Sequence, residues 1–530
     1  MENSRGIPHT GHAPKKLVIP ATLVVAGMLI PVTYLVIRTI GIGSEIPELL
    51  WRQRTFEIIA NSILLMLAVS CASVLIAVPI SWLTTKTDLP FRRLFSVATV
   101  LPLVIPSYVG GFVLVITLGP KGILQGWLSH IGIDRLPEIY GFPGAMLTLT
   151  LLTYPYVLLP VRSALHRLDP SLDDASRALG KGPYETFIRI TLPMLRPSIA
   201  AGAILVALYT ISDFGAVSLL HYETFTWAIY IQYGNFARDA AASLSLVLVA
   251  LAISLLIAET KTRGKARYYH NAPGVLKKHK LIRLGNWRWP AMAFCISVVL
   301  LSLLIPISVL VYWVARGFAA GEQISVPWGH LWNTLSVSGS AAITTVVASI
   351  PVAMLSVRYP GSIATLLERL SYIGFALPGI VIALAMVFFG IRYATPIYQT
   401  TPLLIFAYLV LFLPAALGNV RTSFVQISPV IEQAARTLGK SPAQVLTTIT
   451  LPLLTSGIIA GAIMVFMLTM KELPATLILS PIGFKTLATS IWWATEDVFF
   501  ARAAAPALLM ILLSSIPMGL IVWLGREEVS

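Results

Sequence analysis

The sequence predicts an all-α integral membrane protein with about twelve transmembrane helices, arranged as two six-helix repeats. Three observations lead there. The 530 residues are 56% hydrophobic and only 12% charged, whereas soluble domains carry about 25% charged residues. Stretches of roughly 20 apolar residues, the length that crosses a bilayer, recur along the whole chain. A polar segment also occurs twice, 259 residues apart: DPSLDDASRALGKGPYETFIRITLP at 169–193 and SPVIEQAARTLGKSPAQVLTTITLP at 428–452. Eleven of the 25 positions are identical without a gap.

Hydropathy places spans at 17–38, 59–83, 94–118, 143–162, 197–218, 240–258, 289–315, 333–357, 370–391, 401–420, 456–480 and 503–525. The first is too long for a signal-peptide core and is not followed by a small-residue cleavage site, so it reads as an uncleaved span. An even number of spans puts both termini on one side. The loops on that side hold most of the Lys and Arg, and still do without the nine in the linker 259–288. The positive-inside rule then assigns both termini, the linker and both polar segments to the cytoplasm. The net charge of +15 thus reads as an orientation signal, with the lipid bilayer as partner and no nucleic acid. Cys71 and Cys295 both fall inside spans and form no metal-binding pattern.

The linker divides a first repeat, 1–258, from a second, 289–530. Asn61-Ser62 matches Asn333-Thr334, Pro79 matches Pro351, Pro155 matches Pro414 and Arg162 matches Arg421. A parallel duplication of six spans implies a pseudo-twofold axis along the membrane normal.

Both polar segments carry the same helix punctuation. Asp169 or Ser428 is an N-cap, and Pro170 or Pro429 takes the first helical position. Gly180 or Gly439 stops the helix where a left-handed backbone is favoured. A second short helix starts at Pro183 or Pro442 and is expected to end near Pro193 or Pro452, before the chain re-enters the membrane. Gly439-Lys440-Ser441 looks like the end of a phosphate-binding loop. The first glycine of that motif would fall at Ala434, and a helix precedes it instead of a strand, so no nucleotide site is assigned.

The paired segments resemble the "EAA" loop of ABC-importer permeases. The small pairs are Ala175-Ser176 and Ala434-Ala435, the glycines are Gly180 and Gly439, and the closing pairs are Leu192-Pro193 and Leu451-Pro452. The acidic position of the motif is Asp174 in the first copy and Gln433 in the second, with Asp173 and Glu432 one residue earlier. The resemblance implies coupling helices that fit grooves on cytoplasmic ATPase subunits, one per segment. It also implies a periplasmic substrate-binding protein and a bacterial inner-membrane location. This chain would bind no cofactor, and ATP would be used by the partner subunit. SDFGAVSLL with TFTWAIYIQY, and KELPATLIL with GFKTLATSIWWAT, resemble the ferric-iron uptake permeases. Permeases for thiamine or phosphonates share much of this pattern.

Asp213 and Glu472, again 259 residues apart, lie in the spans after the two segments. Intramembrane carboxylates are costly and face a cavity or a partner. Two readings stay open: the pair lines the translocation path and favours cationic cargo, or each carboxylate is held by hydrogen bonds or an ion pair. His221, Tyr222 and Glu223 suit a hard metal ion, but three adjacent residues rarely converge on one, and the spacing assigns no metal ligand set. Major-facilitator transporters share the layout of six plus six spans. The loops TTKTDLPFRR and RYPGSIATLLER do not fit their pattern, and that fold gives no reason for the repeated segment. A membrane enzyme would need a catalytic cluster of His, Asp or Ser, and none appears in the spans.

Overall fold

A computed structural model describes residues 14–42, 51–120, 122–132, 135–169, 171, 175–176, 178–264, 281–322 and 327–527. Among them the structure is helical, apart from one isolated β-bridge between Thr87 and Ile282. Ten helices are long and apolar enough to cross a membrane, or twelve if each of two bent pairs is one span. In chain order these are α1 (Lys15–Ile42), α2 (Gln53–Lys86), α3 (Ser107–Leu118 and the short turns after it), α4 (Phe142–Arg167), α5 (Pro183–Ser212) and α6 (Arg238–Gly264). Then follow α7 (Gly285–Ala319), α8 (Trp328–Arg358), α9 (Ser362–Phe375 and Gly379–Tyr393), α10 (Thr401–Gln426), α11 (Pro442–Leu453 and Thr455–Met470) and α12 (Phe500–Glu527).

Two expected spans are broken by proline. Residues 94–118 form a short helix, Arg92–Ala98, a tight turn at Leu101–Val104, and only then α3. Residues 370–391 straddle the bend in α9, where the two helices meet at 106°. The cause is the same in both halves. A proline pushes the residue before it out of the helical region. Ile105 (φ −81°, ψ 120°) precedes Pro106, and Leu377 (φ −101°, ψ 113°) precedes Pro378. Both prolines are extended, and each starts a new helix directly after it.

The chain folds as two compact units. One comprises residues 45–324 and 494–511; the other comprises 1–44, 325–493 and 512–530. The internal repeat and the compact units are therefore different partitions. α1, from the start of the first repeat, packs on α8 and α9, and α7, from the start of the second, packs on α3. The buried face of α1 shows why. Ala21 and Val25 join Ala342, Val346, Val352 and Leu417 in one apolar cluster. In the other unit, small hydroxyl residues tie α2 to its neighbours. Ser81 donates to the Leu158 carbonyl at 3.2 Å, and Ser70 to the Ala203 carbonyl at 3.3 Å. Lipid supplies no hydrophobic drive between helices, so small residues and such bonds take over that role.

Candidate functional site: the repeated polar segments

The second polar segment is described throughout. Ser428 caps the helix Pro429–Thr437, its Oγ accepting the Val430 N–H at 3.4 Å. Gly439 stands at φ +84°. Its N–H bonds to the Arg436 carbonyl at 3.0 Å, and the Lys440 N–H bonds to the Ala435 carbonyl at 3.1 Å. This is the helix-ending pattern that needs a left-handed residue, and glycine adopts it without strain. Ser441 and Gln444 then form a reciprocal capping box at the start of α11.

In the first segment Ala175 and Ser176 are helical, Gly180 stands at φ +77°, and the Lys181 N–H bonds to the Ser176 carbonyl at 3.2 Å. The proposed acidic residue Asp174, with Pro170 and Asp173, lies outside the described residues. The small pairs face the same way in both copies. Ala175 and Ala434 are exposed, while Ser176 and Ala435 are buried. Gln433 is half-buried. The Ser176 hydroxyl meets that of Thr186 at 2.8 Å, tying the segment to α5.

The expected helix end at the Leu-Pro pair is met in the second copy, where the helix from Pro442 ends at Leu453, and is not observed in the first. In the first copy the helix runs from Pro183 to Ser212 through a wider turn at Phe187–Thr191, in which the Leu192 N–H reaches the Phe187 carbonyl. Pro193 has no N–H to donate, and the shift in bonding register absorbs that loss. In the second copy the same turn spans Leu446–Thr450, and α11 bends by 66° after Leu451-Pro452.

A buried ion pair anchors the second segment. The Arg358 guanidinium, at the end of α8, meets Glu432 Oε1 at 3.0 Å and the Ile427 carbonyl at 3.1 Å. Thr450 donates to the same carboxylate oxygen at 3.2 Å. The side chains of Arg358 and Glu432 are 4% and 2% exposed. Sequence reasoning noted Glu432 without giving it a role, and missed Arg358. A signal existed. The 272-residue offset that relates Asn61 to Asn333 also relates Lys86 to Arg358, and both cations are buried.

Asp213 and Glu472 terminate helices instead of lying within them, so the expected spans 197–218 and 456–480 are each interrupted. α5 stops at Ser212, and a short helix restarts at Gly215–Leu219. The Asp213 carboxylate accepts the Ala216 N–H at 3.0 Å and the hydroxyl of Ser107. In the other unit, Thr455–Met470 is followed by the short helix Pro474–Leu479. Glu472 accepts the Ala475 N–H at 3.0 Å and the Thr476 N–H at 3.1 Å. Both carboxylates therefore satisfy free amides at a helix start. Each also lies against the helix that begins after the extended proline. A Cβ on Gly215 would come within 2.7 Å of Tyr108, and one on Gly379 would overlap Glu472 Oε1.

His221, Tyr222 and Glu223 do not converge. Tyr222 donates to the Asn61 carbonyl at 3.2 Å, Glu223 pairs with Arg54 at 3.2 Å, and the His221 ring lies 5.7 Å from that of Tyr140. No group of three or more His, Cys, Asp and Glu fit for a metal occurs among the described residues. The repeat-matched asparagines clamp equivalent loops. Asn61 donates to the Glu223 carbonyl at 3.2 Å, and Asn333 to the Lys485 carbonyl at 3.0 Å.

With this geometry in hand, comparison with known proteins is decisive. The profile of binding-protein-dependent transport system inner membrane components matches twice, over residues 77–258 and 345–528. The chain belongs to that family. This transport component carries two copies of the family domain in one polypeptide, and each copy contains one polar segment. It is 35% identical over 500 residues to the Fe(3+)-transport system permease protein FbpB 2 of Haemophilus influenzae, covering 93% of this chain and 95% of that one. It is 23% identical over 480 residues to the ferric transport system permease protein FbpB of Actinobacillus pleuropneumoniae, covering 87% and 70%. The molybdenum transport system permease protein ModB of Escherichia coli is 33% identical over 222 residues, 38% of this chain and 93% of that protein. ModB is thus matched almost whole by well under half of this transport component, as a duplicated unit requires. Family membership and the many apolar helices make it a multi-pass inner-membrane protein that works with a binding protein.

Proposed function

We propose that the chain is the membrane subunit of an ATP-driven importer of ferric iron. It would move cargo by alternating access, as two ATPase subunits dock on the two polar segments and a periplasmic binding protein delivers iron from outside. Both termini and the linker would then face the cytoplasm, in keeping with the distribution of Lys and Arg.

One observation carries the docking. Leu179 and Leu438 hold equivalent positions immediately before the left-handed glycines, and they are 79% and 85% exposed. In a polar segment such leucines call for a partner surface that covers them. Leu438 is flanked on the same segment by exposed Val430 and Ile431. Burying one leucine contributes about 1.5–3 kcal/mol, so a matched pair is a strong anchor for two identical subunits. The glycines set the turn that presents each leucine. Gln433, with the small pairs and the Leu-Pro pairs, belongs to the same surface and to its attachment to the membrane helices, and the repeated motif assigns Asp174 the matching position in the sequence.

The iron assignment draws on the relatives named as Fe(3+) and ferric permeases. Asp213 and Glu472 act on the path in this reading by fixing the short helices that follow them, through carboxyl oxygens held at helix starts.

The test combines two readouts. Leu179→Asp with Leu438→Asp is expected to abolish co-purification of the ATPase subunit and uptake of radioactive ferric iron, at unchanged membrane abundance. ATPase retention by the double variant would refute the docking surface. Retention by wild type with no iron uptake would refute the cargo and leave the docking intact.

A further inference from the structure

The one β-bridge among the described residues joins the end of the linker to the exit of α2. The Ile282 N–H bonds to the Lys86 carbonyl at 2.9 Å, and the Asp88 N–H returns to the Ile282 carbonyl at 3.1 Å. Asp88 Oδ1 then accepts the Leu284 N–H at 2.8 Å, directly before α7 begins. Three hydrogen bonds thus fasten a four-residue strap, Leu281–Leu284, to the loop Lys86–Asp88.

The strap reaches the first polar segment. Ile282 shares a small cleft with Trp82, Lys86, Pro183, Thr186 and Phe187. The Trp82 and Phe187 rings are 5.3 Å apart and close one wall of it. Thr186 is also the residue whose hydroxyl meets Ser176. Ile282 and Thr186 thus line the same cleft, and Thr186 bonds to Ser176 of the small pair.

The second segment is held by a buried ion pair. There Arg358 forks between Glu432 and the Ile427 carbonyl. The equivalent cation in the first half is Lys86, whose ammonium lacks the planar fork of a guanidinium. The strap adds backbone bonds at that lysine.

We propose that Leu281–Leu284 is a positioning element of energy coupling. It braces the first polar segment so that the stroke of the ATPase reaches α5. This rests on the docking reading above.

The experiment uses the full chain purified with the ATPase subunit it retains and reconstituted in liposomes. It compares wild type, Ile282→Asp, Ile282→Val and Asp88→Ala. Asp88 is exposed and lies outside the core, so its variant decides the matter if Ile282→Asp is not recovered. Ile282→Asp and Asp88→Ala are expected to retain the ATPase and to hydrolyse ATP within about twofold of wild type. Ferric iron moved per ATP should fall about fivefold, the factor that one net hydrogen bond corresponds to. Ile282→Val should match wild type. An unchanged iron-to-ATP ratio, with faster amide exchange at Lys86–Asp88 showing the strap released, would overturn the proposal. So would loss of the ATPase from both strap variants, which would make the strap part of docking. Failure of wild type to retain any ATPase would sink the docking reading, and the strap proposal with it.

Discussion

The buried pair Arg358–Glu432 makes a demanding prediction about the second polar segment. Its helix has nine residues, too few to persist in water without tertiary contacts. Glu432 supplies its inward anchor, with Arg358 and Thr450 on one carboxylate oxygen. Removing one partner of a buried pair strands the other and costs about 3–5 kcal/mol. At about 1.4 kcal/mol per factor of ten, Arg358→Ala should raise local opening of Pro429–Thr437 at least a hundredfold. The assay is amide hydrogen exchange on the purified chain, read for that helix against the core of α10. The opening should be local, because Arg358 meets α10 at its last turn, at Phe424 and Ile427, while the rest of that helix is held by apolar contacts of its own. Replacing both partners by apolar residues of similar volume is often neutral or stabilising. Arg358→Met with Glu432→Leu should therefore restore most of the protection. If Arg358→Ala leaves exchange in the helix within threefold of wild type, the carboxylate is not its anchor.

The other predictions concern glycines. Nothing lies within 4 Å of a Cβ built on Gly180 or Gly439, so substitution strains the backbone alone, at roughly 1–2 kcal/mol each. Gly180→Val with Gly439→Val should weaken ATPase co-purification at least tenfold, while Asn at both sites should retain most of it. Gly379→Ser should lower the thermal midpoint of the purified chain, because its side chain would collide with Glu472. Gly379→Ser with Glu472→Asp recreates the pairing of the first half and should recover that loss; no recovery would refute the idea that each carboxylate is fitted to the helix start beside it.

Much of the fold was legible because bilayer chemistry is restrictive. An apolar run of about 20 residues has few alternatives to a spanning helix, and the repeat confirmed its own boundaries at Asn61, Pro79 and their partners. What was missed follows from backbone detail that hydropathy averages away. The breaks at Pro106 and Pro378 lie inside apolar windows, so hydrophobicity carried across them. Asp213 and Glu472 also sit in apolar sequence, and only the helix stops at Ser212 and Met470 reveal that each carboxylate serves a helix start. In the polar segments, Gly180 and Gly439 were readable because a left-handed stop has a residue signature. Arg358 was not, because an arginine at the end of a span reads as an interfacial charge until its partner, 74 residues later, is brought to it.

The two halves also differ in a way that supports a common geometry. In the first, a serine begins the helix after the extended proline and an aspartate faces it, with a hydrogen bond between them. In the second, glycine replaces the serine and glutamate replaces the aspartate. The space given up by the smaller residue is taken by the longer carboxylate, and the amides at the start of the short helix are met in both cases. The cation differs similarly at the other end of the repeat, where Lys86 holds the position of Arg358 and its carbonyl takes a bond from the linker strap. Conserved placement with exchanged chemistry is expected when both halves must keep the same helix breaks while their sequences drift. It also identifies the carboxylate positions as constraints on backbone geometry.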